Sequence, residues 1–150
     1  MFNIIQFDIE GRTVLDLFSG TGQLGIEALS RGAERCTFVD LRKDAVAVIR
    51  ENLAHCRMEE RATVIQGDSL AFLSGCRERF DLVFLDPPYR TGLLEKALET
   101  IAKIDIVTGN GIIVCESPAE SVLPEGTAPY EKGREYRYGK IKITLYRRTV

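Results

Sequence analysis

The 150-residue sequence predicts an α/β fold of the doubly wound kind, a largely parallel sheet closed at one end by an antiparallel hairpin. Three observations carry this. Apolar, β-rich runs alternate with helical stretches from Thr13 to Glu116. The fourth run, Phe80-Asp81-Leu82-Val83-Phe84-Leu85-Asp86, is mostly apolar, as a strand covered on both faces requires. After Pro118 the alternation gives way to two long strand-like segments that meet at Tyr138-Gly139-Lys140, the pattern of a hairpin.

The elements follow in order. Thr13 to Phe18 is a short strand that ends in a glycine cluster, and Gln23 to Arg31 is a helix with apolar Leu24, Ile26, Ala28 and Leu29, stopped at Gly32. Cys36 to Asp40 is the second strand. Asp44 to Cys56 is a helix whose apolar face is expected at Ala45, Val48, Ile49 and Leu53. Ala62 to Ile65 is the third strand, followed by a short helix from Ser69 to Leu73. Beyond the fourth strand come a helix from Leu93 to Ile104 and a fifth strand from Gly111 to Glu116. Tyr130 to Tyr138 and Lys140 to Arg147 form the hairpin.

The length suits one domain with its own core, and neither repeats nor linkers interrupt it, so residues 1–150 are read as a single domain. No apolar run approaches the roughly 20 residues of a membrane span, and Met1-Phe2-Asn3-Ile4-Ile5 lacks the features of a secretory signal. Cys36, Cys56, Cys76 and Cys115 are widely spaced, and the only histidine is His55, near a helix end. Reduced thiols in a cytoplasmic protein are expected, with neither a disulfide framework nor a metal site, and His55 is read as a surface residue. Net charge is −2, but it is uneven. From Glu131 onward seven basic residues, from Lys132 to Arg148, face two acids, a local excess of +5 that leaves −7 on residues 1–130. Charge alone favours a solvated edge strand guarded by lysines over a phosphate-binding patch.

Four features carry chemistry. Gly20, Gly22 and Gly25 give G-x-G-x-x-G directly after the first strand, where glycines allow a tight turn and a close approach of backbone to ligand. The motif by itself does not separate a dinucleotide site from an adenosyl one. Asp40 ends the second strand 20 residues after Gly20. An acid there can accept from both ribose hydroxyls of an adenosine, on the edge where open α/β sheets bind ligands. Asp68, in Gly67-Asp68-Ser69, closes the third strand, and it suits an adenine amino group and a helix N-cap equally.

Asp86-Pro87-Pro88-Tyr89 is the most specific of the four. Pro-Pro fixes φ at both positions and donates no N–H, so the loop is rigid. The Pro87 carbonyl and the Asp86 carboxylate can take both hydrogens of an –NH2 group while a base stacks on Tyr89, at about 1–3 kcal/mol. An exocyclic base amine is a poor nucleophile because its lone pair is delocalised into the ring. Two acceptors pull it toward tetrahedral geometry and aim the lone pair at a sulfonium methyl, a displacement in which alignment supplies much of the rate. A dehydrogenase shares the first two features and has no use for this loop.

With these residues assembled, the chain resembles the bacterial small-subunit (16S) rRNA guanine-N2 methyltransferase family, often called RsmD-like. The likeness runs over essentially the whole sequence, through FNII, VLDLFSGTGQLGIEALSRGA, FVDLRKDAVAVIRENL, FDLVFLDPPY and YRYGKIKITLYRR. The resemblance implies a Rossmann-like class I methyltransferase with a seven-stranded sheet, S-adenosyl-L-methionine as cofactor, and a guanine 2-amino group of small-subunit rRNA, free or assembled, as target. It puts the cofactor loop at Gly20 and Gly22 with Asp16 near the methionine moiety. Asp40 and Leu41 fall at the ribose, Asp68 and Ser69 at the adenine edge, and Asp86, Pro87, Pro88 and Tyr89 at the target amine. Family members carry a basic hairpin and a helix before the position matched by Phe2, so the chain is expected to begin inside that helix, leaving the Lys132–Arg148 tail as candidate RNA contact. The alternatives are an inactive cofactor-binding domain, an adenine-N6 nucleic-acid methyltransferase, and methylation of a small molecule or a protein glutamine. D-P-P-Y serves any such amine, so guanine rests on the resemblance.

Overall fold

The computed structural model describes residues 1–148 apart from Arg90 and Thr127, with Phe7 described by its backbone. A short α1 (Phe2–Ile5) and a 3-10 turn (Gln6–Asp8) lead into β1 (Thr13–Leu17). Then come α2 (Gln23–Ser30), β2 (Arg35–Asp40), α3 (Lys43–His55), β3 (Ala62–Gln66), α4 (Ser69–Gly75), β4 (Phe80–Leu85) and α5 (Leu93–Ile104). The chain ends in β5 (Val107–Pro118), β6 (Tyr130–Tyr138) and β7 (Ile141–Arg148).

The strands form one seven-stranded sheet in the order β3-β2-β1-β4-β5-β7-β6. The first five pair in parallel, and β7 runs antiparallel to both β5 and β6. The predicted doubly wound sheet and its hairpin are both present. Strand pleating explains the layering: alternate residues face opposite sides. Leu15, Leu17, Val83, Leu85, Ile113 and Cys115 pack with α5 on one face. Val14, Leu82, Phe84, Ile112 and Val114 pack with α2 and α3 on the other. Phe2 of α1 joins the second layer, its ring 5.8 Å from that of Phe84.

Two elements differ from expectation. On α3 the buried residues are Ala45, Val46, Ile49 and Leu53, while Val48 is exposed. At about 100° per residue, Val46 falls about 20° from the edge of the arc set by the other three and Val48 about 60° from its opposite edge. β5 begins at Val107 rather than Gly111, because a bulge between Phe80 and Leu82 of its partner absorbs the Gly109-Asn110-Gly111 stretch. Among the described residues no helix is long and apolar enough to cross a membrane.

Candidate active site at the carboxyl edge of the sheet

The parallel strands deliver their following loops to one edge, around the point where strand order reverses between β1 and β4. There lies a cleft of about 680 Å³, lined by Phe18, Gly20, Asp40, Leu41, Arg42, Asp68, Ser69, the Asp86-Pro87-Pro88-Tyr89 loop, Leu93 and Glu116. Nine of the expected residues are thus gathered on one wall or another: Gly20, Asp40, Leu41, Asp68, Ser69, Asp86, Pro87, Pro88 and Tyr89.

The loop after β1 is tied to β2. Ser19 N donates to the Val39 carbonyl at 2.9 Å, and Gly20 N donates to Asp40 Oδ2 at 2.8 Å. Asp40 Oδ1 accepts from Arg42 N at 2.9 Å, with the Arg42 side chain 3.7 Å away. Each carboxylate oxygen keeps acceptor capacity beyond these bonds. A Cβ on Gly20 would meet nothing within 4 Å, so the loop presents bare backbone to open space. Gly22, at φ 81°, caps α2 from the left-handed region and is buried behind the loop. The third glycine serves packing: a Cβ on Gly25 would lie 2.3 Å from Phe38 Cε2 and 2.7 Å from Cys36 Sγ.

Asp16 is beneath the cleft rather than on its wall. It is 1% exposed, and its Oδ2 accepts from Gly25 N at 3.0 Å, fixing the first turn of α2 to β1. Burial raises its pKa from 3.8 to about 8; the Gly25 bond offsets part of this, and the charges of Asp86 and Asp40 add to it. Of the two roles open to Asp68, the N-cap is present. It caps α4 by accepting from Ala71 N at 2.9 Å, and it also lines the cleft.

At the far wall, Pro87 is buried while Pro88 and Tyr89 are exposed, and the Pro88 carbonyl accepts from Thr91 Oγ1 at 2.8 Å. Burial and the charge of the neighbouring Glu116 raise the Asp86 carboxyl to about 7. The Tyr89 hydroxyl donates a long bond, 3.4 Å, to Glu116 Oε2. Phe18, Arg42, Leu93 and Glu116 were not expected here. Phe18 holds an unusual positive φ of 61°. Glu116 had a legible signal, since it is an acid at the end of a parallel strand like Asp40 and Asp86.

The cation-rich tail is largely neutralised. Lys132 pairs with Glu125 at 3.3 Å, Lys142 is buried against Glu135 at 2.9 Å and the Ser121 carbonyl, Arg147 lies 3.9 Å from Asp8, and Arg148 bonds Asp105. Among the described residues Arg134, Arg137 and Lys140 are exposed with no acid partner. The candidate RNA contact narrows to these three. His55 is exposed at the end of α3, away from the cleft.

The residues present fit an adenosyl group. A bare-backbone turn at Gly20, acceptors at Asp40 and Asp68, and apolar surface at Phe18 and Leu41 share one cleft of the size that small-molecule sites occupy. This strand order and this cleft define a class I methyltransferase, the class that uses S-adenosylmethionine. Within that class, the chain belongs to the family described as Conserved hypothetical protein 95, whose model matches residues 1–147. It is similar to YlbH of Bacillus subtilis, 36% identical over 99% of this chain and 82% of that protein. It is also similar to Ribosomal RNA small subunit methyltransferase D of Escherichia coli, 32% identical over 99% of this chain and 74% of that protein. A solved structure of a conserved hypothetical protein from Streptococcus pyogenes superposes with a TM-score of 0.90 at 35% identity, covering 97% of this chain and 91% of its own.

Proposed function

We propose that the protein transfers a methyl group from S-adenosylmethionine to the 2-amino group of a guanine in small-subunit ribosomal RNA. The observation that carries this is the placement of Asp86-Pro87-Pro88-Tyr89 on the same cleft as Gly20 and Asp40. The name of the Escherichia coli relative supports small-subunit rRNA as substrate.

The bound cofactor supplies an electrophilic methyl group on a sulfonium. The chain's own residues do the rest. Asp40, with Leu41 beside it, holds the ribose; Asp68 and Ser69 take the adenine edge; and Gly20 lets backbone approach, with Gly22 and Asp16 supporting the loop from behind. At the other wall Tyr89 stacks the target base, which must leave its helix or come from a single-stranded loop. The Asp86 carboxylate and the Pro87 carbonyl each accept a hydrogen of the amine and fix its orientation, and Asp86 is placed to receive the proton the amine gives up.

Incubation with small-subunit rRNA, free and as assembled particles, followed by base-level mass spectrometry, tests this. N2-methylguanine is the expected product. N6-methyladenine in its place overturns the guanine assignment, and binding of S-adenosylhomocysteine without turnover on either substrate overturns the activity.

A further inference from the structure

Guanine differs from the other amine-bearing bases in what flanks its amine. Its 2-amino group sits next to the N1–H donor, whereas the amines of adenine and cytosine sit next to a ring nitrogen that carries a lone pair. A carboxylate is acceptor-only. Placed beside the groups that hold an exocyclic amine, it accepts from guanine and opposes the lone pair of the other two.

Glu116 stands in that position. Leu85 of β4 and Cys115 of β5 are the last pair in register, so Asp86 and Glu116 follow side by side, Glu116 still paired with Ile143 of β7. Glu116 Oε2 lies 3.4 Å from the Tyr89 hydroxyl. Glu116 lines the main cleft and also a smaller adjoining cavity of about 120 Å³ that shares Pro87, Pro88 and Tyr89 with it. Among the described lining residues of the cleft the one cation is Arg42, held at the opposite end by Asp40. The wall at Asp86 and Glu116 is therefore rich in acceptors, and two adjacent carboxylates call for hydrogens between them.

We propose that Glu116 is the base-selecting residue of this site, its carboxylate accepting the N1–H of the guanine whose 2-amino group is held at Asp86-Pro87-Pro88-Tyr89. This rests on the guanine reading above and adds to it the residue that enforces the choice. The Watson–Crick edge of guanine offers a row of donors, N1–H and N2–H2, to a row of acceptors, Glu116, Asp86 and the Pro87 carbonyl. A base lacking the N1 hydrogen leaves Glu116 facing a lone pair, and sites built around a substrate hydrogen bond reject such analogues strongly.

The test uses 2-aminopurine, which keeps the 2-amino group of guanine but has a lone pair at N1. The nucleotide methylated by the wild-type chain is mapped first, and synthetic RNA carrying guanine or 2-aminopurine at that place is then compared. Wild type is expected to favour guanine by about 100-fold or more in kcat/KM. Glu116→Gln presents an NH2 donor beside N1; it should lower guanine turnover at least about tenfold and raise that of 2-aminopurine, with the Kd for S-adenosylhomocysteine unchanged. Equal use of both bases by the wild-type chain overturns the proposal without recourse to any variant, as does a Glu116→Gln chain that binds S-adenosylhomocysteine and keeps the wild-type base ratio. A wild-type chain that methylates no guanine N2 overturns the functional reading and this proposal together; a chain that methylates guanine but takes 2-aminopurine equally well sinks this proposal alone.

Discussion

The backbone N–H of Gly20 donates to the carboxylate of Asp40 at 2.8 Å, joining the ends of two adjacent parallel strands. Asp40 is therefore both a wall of the cleft and the brace that sets the glycine loop. Asp40→Ala is expected to weaken S-adenosylhomocysteine binding by about 10- to 100-fold, the loss of one or two charged hydrogen bonds, with a smaller effect on turnover at saturating cofactor. Asp86→Ala should do the reverse. Calorimetry alongside single-turnover kinetics separates the two, and equal effects from both variants would mean that their roles are misassigned.

Burial and the neighbouring Glu116 raise the Asp86 carboxyl to about 7, into the neutral range. Only the carboxylate accepts from the target amine without offering a competing hydrogen. kcat/KM should therefore rise with pH through an apparent pKa near 7, and Asp86→Asn should lose that limb along with most of its activity. Because the Glu116 charge helps to raise Asp86, Glu116→Gln should move the limb downward. A flat profile between pH 6 and 8 would exclude this role for Asp86.

Asp16 makes a prediction about stability instead. Its pKa is near 8 in the fold against an ordinary 3.8, so the folded chain holds a proton that the unfolded chain releases as pH rises. The sign follows: this group's contribution is most favourable below about pH 4 and declines as pH climbs toward 8. Asp16→Asn keeps an acceptor for Gly25 N–H and carries no charge, so its stability relative to wild type should grow across that interval. Denaturant melts of both chains at pH 5 and pH 8 check it; parallel changes would mean that Asp16 does not titrate there.

Much of this architecture is legible in the sequence because the decisive contrasts are local. The apolar run of β4, the glycines after β1 and the acids at Asp40 and Asp86 each announce a strand end, and parallel strands carry all their ends to one edge. What is harder to read depends on partners distant in the chain. Val46 and Val48 flank the apolar arc of α3 on opposite sides, and only contact with the sheet decides which is buried. The tail carries its basic excess until Glu125, Asp8 and Asp105 are brought against it from outside the hairpin. The resemblance puts Asp16 near the methionine moiety, and what the sequence does not show is that its buried carboxylate also braces Gly25.

Gly25 tests the packing role of the third glycine. A methyl group there would lie 2.3 Å from Phe38 Cε2 and 2.7 Å from Cys36 Sγ, both on the buried face of β2. Gly25→Ala should cost about 1–3 kcal/mol by overpacking, lowering the urea midpoint. Pairing it with Phe38→Leu should recover part of the loss, whereas additive losses would place the strain elsewhere.

The three unpaired cations of the hairpin and the buried one separate RNA binding from folding. Arg134, Arg137 and Lys140 lie on or next to β6, the outer edge of the sheet, and their triple replacement by alanine should weaken rRNA binding. It should also lower the slope of log affinity against log salt by up to about 2, at roughly 0.7 for each single-strand phosphate that the three cations neutralise. S-adenosylhomocysteine affinity and the melting temperature should hold. Lys142→Ala is the contrast: it strips a 5% exposed ammonium from Glu135 and from the Ser121 carbonyl, which anchors the segment between β5 and β6 to β7. Its melting temperature should fall by several degrees, because Glu135 and the Ser121 carbonyl lose a shared donor, with no change in the salt slope of the folded protein. A triple variant with wild-type RNA affinity and slope would move the RNA-binding surface off the hairpin.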